Sequence, residues 1–278
     1  GGEIVRGAIT LGILVQFLGY MNRFFWPVRD LTERYTMIQG AIASAEKIFA
    51  ILDTPQGIVD AQNAKPLQRI NGKIQFEHVW FAYNHDNWVL RDVSFTINPG
   101  EKIAIVGATG AGKSTTMALF SRFYDIEHGE ILIDDVPIKS MPQTWLRRNT
   151  GIMLQDPWVF TDTITENIRM RDSMISLDVV DAAAKAVGAD TFINMLPAGY
   201  DTQVSERGAN FSTGQKQLIS LARVAAFNPQ IVLVMDEATA SIDPETEAII
   251  QAGLATVMEG RTSIIIAHRL NTIRHVDR

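Results

Sequence analysis

The run Gly107-Ala108-Thr109-Gly110-Ala111-Gly112-Lys113-Ser114-Thr115 constrains the fold of this chain more than any other feature. Its spacing is G-x4-G-K-[ST]. An apolar stretch at 103–106 leads in, and the helix-favouring Thr116-Met117-Ala118-Leu119-Phe120 leads out, so the pattern reads strand, loop, helix. Glycines let the backbone curl until successive N–H groups point inward, and the first turn of the helix adds its positive dipole end. A loop of that kind cradles phosphate. Lys113 supplies a point charge to the β- and γ-phosphates, and the Ser114 hydroxyl is placed for Mg²⁺.

Periodicity supplies the frame around this loop. Strand-like patterning covers 73–83, 89–97 and 101–107, broken by turn residues such as Pro99-Gly100. After Lys113, short strands at 129–134, 151–155, 231–236 and 262–268 alternate with helices. The expectation is an α/β core behind an antiparallel β leader. Upstream, 53–72 reads as a linker, with Pro55, Gly57, Pro66 and the Asn71-Gly72 turn signal. Residues 28–52 show helical amphipathicity through Leu31, Tyr35, Ile38, Ile42, Ala45, Ile48 and Phe49. The stretch 8–21 is apolar, with Gln16 as its one strongly polar member, but is shorter than the roughly 20 residues of a free-standing membrane helix. Phe24-Phe25-Trp26-Pro27 extends it with an aromatic cluster of the kind found at membrane interfaces. Taken alone, this segment fits a buried soluble helix as well as a membrane one. The chain opens Gly1-Gly2 and stops at Arg278, which reads as a fragment of a longer polypeptide, and no secretory signal is visible.

Composition narrows the classes. With 46% hydrophobic and 20% charged residues the chain is an ordinary globular one, and a net charge of −6 without a basic tract argues against general nucleic-acid binding. The absence of cysteine excludes disulfides, iron–sulfur clusters, thiolate zinc sites and cysteine nucleophiles.

Two further elements belong with the loop. Ile231-Val232-Leu233-Val234-Met235 reads as a buried strand that presents Asp236 and Glu237 at its carboxyl end, where open α/β sheets bind ligands. Asp236 can hold Mg²⁺ through water, and Glu237 can polarise an attacking water. Phe211-Ser212-Thr213-Gly214-Gln215 opens a helix with Ser212 as its N-cap.

With these residues assembled, the chain resembles the nucleotide-binding domain of ATP-binding-cassette transporters of the exporter type, which fuses membrane helices ahead of its ATPase. The loop at Lys113 resembles Walker A, and Asp236-Glu237 resembles Walker B with its catalytic glutamate. FSTGQ resembles the LSGGQ signature, with Phe211 in place of Leu and Thr213 in place of the first Gly. Asp243 closes a segment similar to the D-loop, His268 matches the switch histidine, and Gln155 matches the Q-loop. Tyr83 matches the aromatic that stacks on adenine, and Glu206-Arg207-Gly208 resembles the exporter X-loop.

The resemblance implies a P-loop NTPase cassette: a RecA-like α/β core, an antiparallel β subdomain and a helical signature subdomain. It implies 1–52 as the end of a transmembrane domain, 53–72 as linker and 73–278 as the cassette, truncated at its C-terminus. It implies ATP and Mg²⁺ as cofactors, with Glu237 and His268 catalytic. Tyr83, the loop Gly107 to Thr115, Gln155, Ser212, Gly214 and Gln215 would bind nucleotide, and Ser114, Gln155 and Asp236 would hold the metal. It also implies a head-to-tail dimer in the inner membrane, multi-pass, with the cassette cytoplasmic and an unidentified substrate. The altered signature adds an expectation of a heterodimer, since the defect then falls on one site. Soluble cassette ATPases of DNA repair or translation fit less well, given the apolar N-terminal segment and the lack of a long coiled-coil insertion after Gln155. A small-molecule phosphotransferase would leave the 212–215 segment and His268 unexplained.

Overall fold

The computed structural model describes residues 10–55, 57–84, 87–154, 157–236, 242–267 and 276–278, with the side chains of 235, 236 and 267 left out. The chain divides into two units, Gly1–Gly57 and Ile58–Arg278.

Among the described residues, the first unit holds one helix, α1 (Leu11–Leu52), capped by Thr10, whose side chain accepts from the Ile13 amide at 3.3 Å. The apolar and amphipathic stretches therefore form one helix and run through Pro27 without a break. Proline costs about 3 kcal/mol in a helix interior, and the helix nevertheless continues past it. None of the helix's residues is buried, and Leu11, Phe17, Trp26, Leu31 and Ile51 are exposed. Among the described residues, no helix is long and apolar enough to cross a membrane.

The second unit holds two sheets. The antiparallel one comprises β1 (Ile74–Ala82), β2 (Trp88–Ile97), β4 (His128–Ile133) and β5 (Val136–Pro137), ordered β2-β1-β4-β5. The parallel one comprises β3 (Lys102–Ile105), β6 (Thr150–Met153), β7 (Ile231–Asp236) and β8 (Thr262–Ala267), ordered β3-β8-β7-β6. Two strands change sheet relative to the periodicity reading. β3 leaves the leader for the parallel sheet, and β4 pairs with β1 through Ile74 and Ile133 instead of joining the α/β core. Period-2 patterning marks a strand but carries no information on its partner.

Helices α2 (Lys113–Phe120), α3 (Gln143–Arg148), α4 (Ile164–Arg169), α5 (Leu177–Ala186), α6 (Asp190–Asn194), α7 (Thr213–Phe227) and α8 (Pro244–Met258) complete the unit. Ile231, Val232, Leu233 and Val234 of β7 are apolar and buried, as in a strand covered on both faces. Ile231 and Leu233 pack with Phe76, Phe120 and Ile264 between the two sheets. Val232 and Val234 point the other way, into a core with Leu218, Leu221 and Leu254 from α7 and α8. α2 lies in the first of these cores through Met117, Leu119 and Phe120.

Candidate functional site

All four strands of the parallel sheet run the same way, so their carboxyl ends share one edge. The loop 106–112 leaves that edge after β3, Gln155 follows β6, Glu237 follows β7 and His268 follows β8. Gln155, Glu237 and His268 themselves lie outside the described residues. Asp236 closes β7, its backbone paired with Ala267 of β8. The topology thus brings the loop and the backbone of Asp236 to one edge of the sheet, where β6 and β8 also end.

The loop's geometry follows from its glycines. Gly110 and Gly112 take φ values of 86° and 85°, in the left-handed region that favours glycine. Gly112 is also the N-cap of α2 and offers no side chain there, which leaves the first-turn amides available to an anion. A Cβ on Gly112 would approach Leu90 Cδ2 to 2.5 Å, so the loop also needs glycine to pass β2. Lys113 is buried and folds over the loop, donating from Nζ to the carbonyls of Gly107 (2.8 Å) and Ala108 (3.0 Å). Ala111 donates its amide to Ala108 O, and Thr116 Oγ1 donates to Gly112 O at 3.0 Å. Ser114 is exposed on the first turn of α2, while Thr115 is buried. The residues present suit a triphosphate with Mg²⁺: open amides, one buried cation and an exposed hydroxyl at a helix N-terminus.

Tyr83 stands beside this loop. Its hydroxyl lies 3.2 Å from Thr115 Oγ1, and its ring meets Phe81 and Tyr124 edge-on at centroid distances of 4.9 and 5.1 Å. The ring is 51% exposed, held at its rim with area open for a flat base. Tyr124 had no motif to reveal it. It lies in the turn after α2 and braces Tyr83 only through the fold.

The segment 211–215 forms the entry to α7. Ser212 accepts from the Gln215 amide at 3.2 Å, and the Gln215 side chain accepts from the Ser212 amide at 2.9 Å, a full capping box. Phe211 is buried against Phe192, with ring centroids 6.3 Å apart. Thr213 occupies the first helical position, where a β-branched residue meets no backbone conflict. Gly214 is buried, and a Cβ there would meet Thr246 Cγ2 of α8 at 2.4 Å. Its glycine is thus required by helix packing as well as by any role toward phosphate. Asp243 caps α8 by accepting from the Thr246 amide at 2.8 Å, and that bond holds its carboxyl below the usual carboxylate range. Glu206-Arg207-Gly208 forms a tight turn with Arg207 and Gly208 at φ 54° and 64°.

Sequence reasoning passed over Arg223 of α7. Its guanidinium donates to the carbonyls of Asn167 (2.9 Å) and Trp158 (3.1 Å), and burial pushes its pKa down to about 10. It fastens the helix that begins at Ser212 to the segment following Gln155.

A family profile described as ABC transporter matches residues 90–240. A putative ABC transporter ATP-binding protein of Streptococcus pneumoniae is 46% identical over 96% of this chain and 45% of its own length. A fatty acid ABC transporter ATP-binding/permease protein of Mycobacterium bovis is 44% identical over 100% of the chain and 43% of its own length. The chain thus spans less than half the length of these relatives. Among solved structures, a bacterial Atm1-family ABC exporter with ATP bound superposes with a TM-score of 0.77 at 40% identity, covering 97% of this chain and 47% of that one.

Proposed function

This chain belongs to the ABC transporter family and carries its ATP-binding, ATP-hydrolysing domain; from that premise we propose that it powers a membrane exporter. The observation that carries the reading is the phosphate loop, where Lys113 Nζ is folded over Gly107 and Ala108 at the edge shared by four parallel strands. The triphosphate lies along the loop amides, with Lys113 neutralising its terminal phosphates. Tyr83 stacks on the adenine. Ser114, Gln155 and Asp236 would hold Mg²⁺, which would supply positive charge to the phosphate oxygens. Glu237 takes the proton of the attacking water as the new oxygen–phosphorus bond forms and the bond to the bridging oxygen breaks, giving ADP and phosphate. His268 keeps the γ-phosphate and Glu237 in line.

One helix end and one lysine leave a face of the triphosphate uncovered. A second α7 N-terminus, with Ser212, Gly214 and Gln215 from a partner subunit, closes it. ATP then joins two cassettes head to tail, and hydrolysis releases them. The cassette lies on the cytoplasmic side of a cell membrane, with α1 continuing from membrane-spanning segments. The partner is a different subunit, because Thr213 at the start of α7 narrows the approach of backbone to phosphate in the site it serves in trans. The transported compound is chosen by membrane helices and exported from the cytoplasm.

The direct test is ATP affinity and hydrolysis by the full-length protein in lipid, with and without Lys113→Ala. The expected result is hydrolysis by the parent, and ATP binding weakened about 10- to 100-fold by the substitution through loss of its charged hydrogen bonds. Parent-like affinity in Lys113→Ala would remove the loop from the site.

A further inference from the structure

Residues 58–60, within the segment read from the sequence as a linker, are bound at a specific point. The Asp60 carboxylate accepts from the Gln143 amide at 3.0 and 3.2 Å and from Gln143 Nε2 at 3.1 Å, and Gln143 Nε2 also reaches Ile58 O at 3.3 Å. The same carboxylate lies 3.4 Å from Arg122 Nη1, and Arg122 Nη2 reaches Val59 O at 3.5 Å. Arg122 is 2% exposed. Its guanidinium also donates to Met141 O at 3.1 Å and Ile138 O at 3.5 Å, with Asp125 3.4 Å from Nε.

Arg122 directly follows Ser121, the C-cap of α2, and takes a φ of 50° there. Arg147 of α3 secures that turn by donating to Ser121 O, Arg122 O and the Gln143 side chain. The far end of the phosphate-loop helix, α3 and residues 58–60 therefore share one polar knot. α2 has eight residues, so it spans about 12 Å from Lys113 to this knot, and its buried Met117, Leu119 and Phe120 make it move as a rigid rod.

We propose that Asp60 is a positioning residue that ties the chain leading from α1 to the far end of the phosphate-loop helix, so that nucleotide binding at Lys113 is transmitted to α1 through Arg122. This rests on the nucleotide-site reading above. A salt bridge to a buried arginine is well suited to the task. Arg122 holds one geometry because carbonyls fix its other donors, while Asp60 is partly exposed and lies in the segment leading from α1. The variant Asp60→Asn keeps the side-chain size, and Arg122 retains Met141 O, Ile138 O and Asp125, so the fold survives the change.

The test is amide hydrogen exchange of the full-length protein in lipid nanodiscs, with and without the β,γ-imido analogue of ATP plus Mg²⁺. In the parent, the analogue protects 107–115, 58–62 and part of 11–52. Asp60→Asn keeps the protection at 107–115 and loses it at 58–62 and 11–52. A purely structural role would raise exchange equally with and without the analogue and leave the nucleotide-dependent difference intact. Parent-like protection of 11–52 in Asp60→Asn overturns the proposal, as does a parent showing none there. If Asp60→Asn melts early, Asp60→Glu, which keeps the charge, serves instead: retained protection at 11–52 supports the tie, and loss overturns it. Failure of the parent to protect 107–115 would instead overturn the nucleotide site itself.

Discussion

At the scale of single residues, the site divides into groups that a short motif reveals and groups that only the fold brings together. Lys113 belongs to the first kind, because the loop that folds under its ammonium is contiguous with it. Tyr124, Arg122 and Asp60 belong to the second: Asp60 and Arg122 are 62 positions apart, and neither sits in a pattern that names its partner. Tyr83 lies between the two, since its motif suggested adenine and the fold shows how its rim is braced. Tyr83→Trp keeps a flat surface and binds ATP about as well as the parent. Tyr83→Ala binds about 5- to 150-fold more weakly, the 1–3 kcal/mol of base–aromatic stacking. A tyrosine that only packs its own sheet would lower the melting temperature in both variants and leave affinity unchanged, so measuring both quantities separates the two roles. Gly214→Ala drives a Cβ into Thr246, and the expected cost is about 1–3 kcal/mol, read as a lower midpoint in thermal unfolding.

Among the elements, the strands with two buried faces were the plainest in sequence, because 231–235 of β7 and the middle of β8 are continuous apolar runs. The antiparallel strands were also visible, but their partners were not. β4 follows α2 in the chain yet pairs with β1, a choice set by the core around Phe76 and Phe120 and not by local pattern. α1 continues through Pro27 although proline is unfavourable in a helix interior. The start of α7 was read correctly because capping is local chemistry. Ser212→Ala removes half of the capping box and costs about 0.5–2 kcal/mol, measurable as a shift in the chemical-denaturation midpoint. Asp243 makes the corresponding cap on α8, with a carboxyl held below its ordinary value by the Thr246 amide. A depressed carboxylate contributes stability above its unfolded value, about pH 4, and loses it as pH falls through the lowered folded value. Asp243→Asn should therefore flatten the fall of melting temperature below about pH 4 relative to the parent.

On the scale of the whole molecule, composition excluded cysteine chemistry and argued against general nucleic-acid binding, and motif order pointed to the family that the comparisons bear out. Assembly was less legible, because in the proposed head-to-tail dimer the surface that completes a nucleotide site would belong to another copy or another subunit. The heterodimer reading predicts that co-expression with a partner subunit yields a complex of unlike chains with higher ATPase activity than this protein alone. A stable homodimer with full turnover, unimproved by Thr213→Gly, would favour two equivalent sites. The most direct test of an ATP-hydrolysing transporter domain is single-turnover hydrolysis by the assembled full-length protein, parent against Glu237→Gln, with ATP affinity measured on the same samples. The predicted result is unchanged affinity with hydrolysis slowed about 10²- to 10⁴-fold by loss of the base. Near-parent hydrolysis by Glu237→Gln would contradict it.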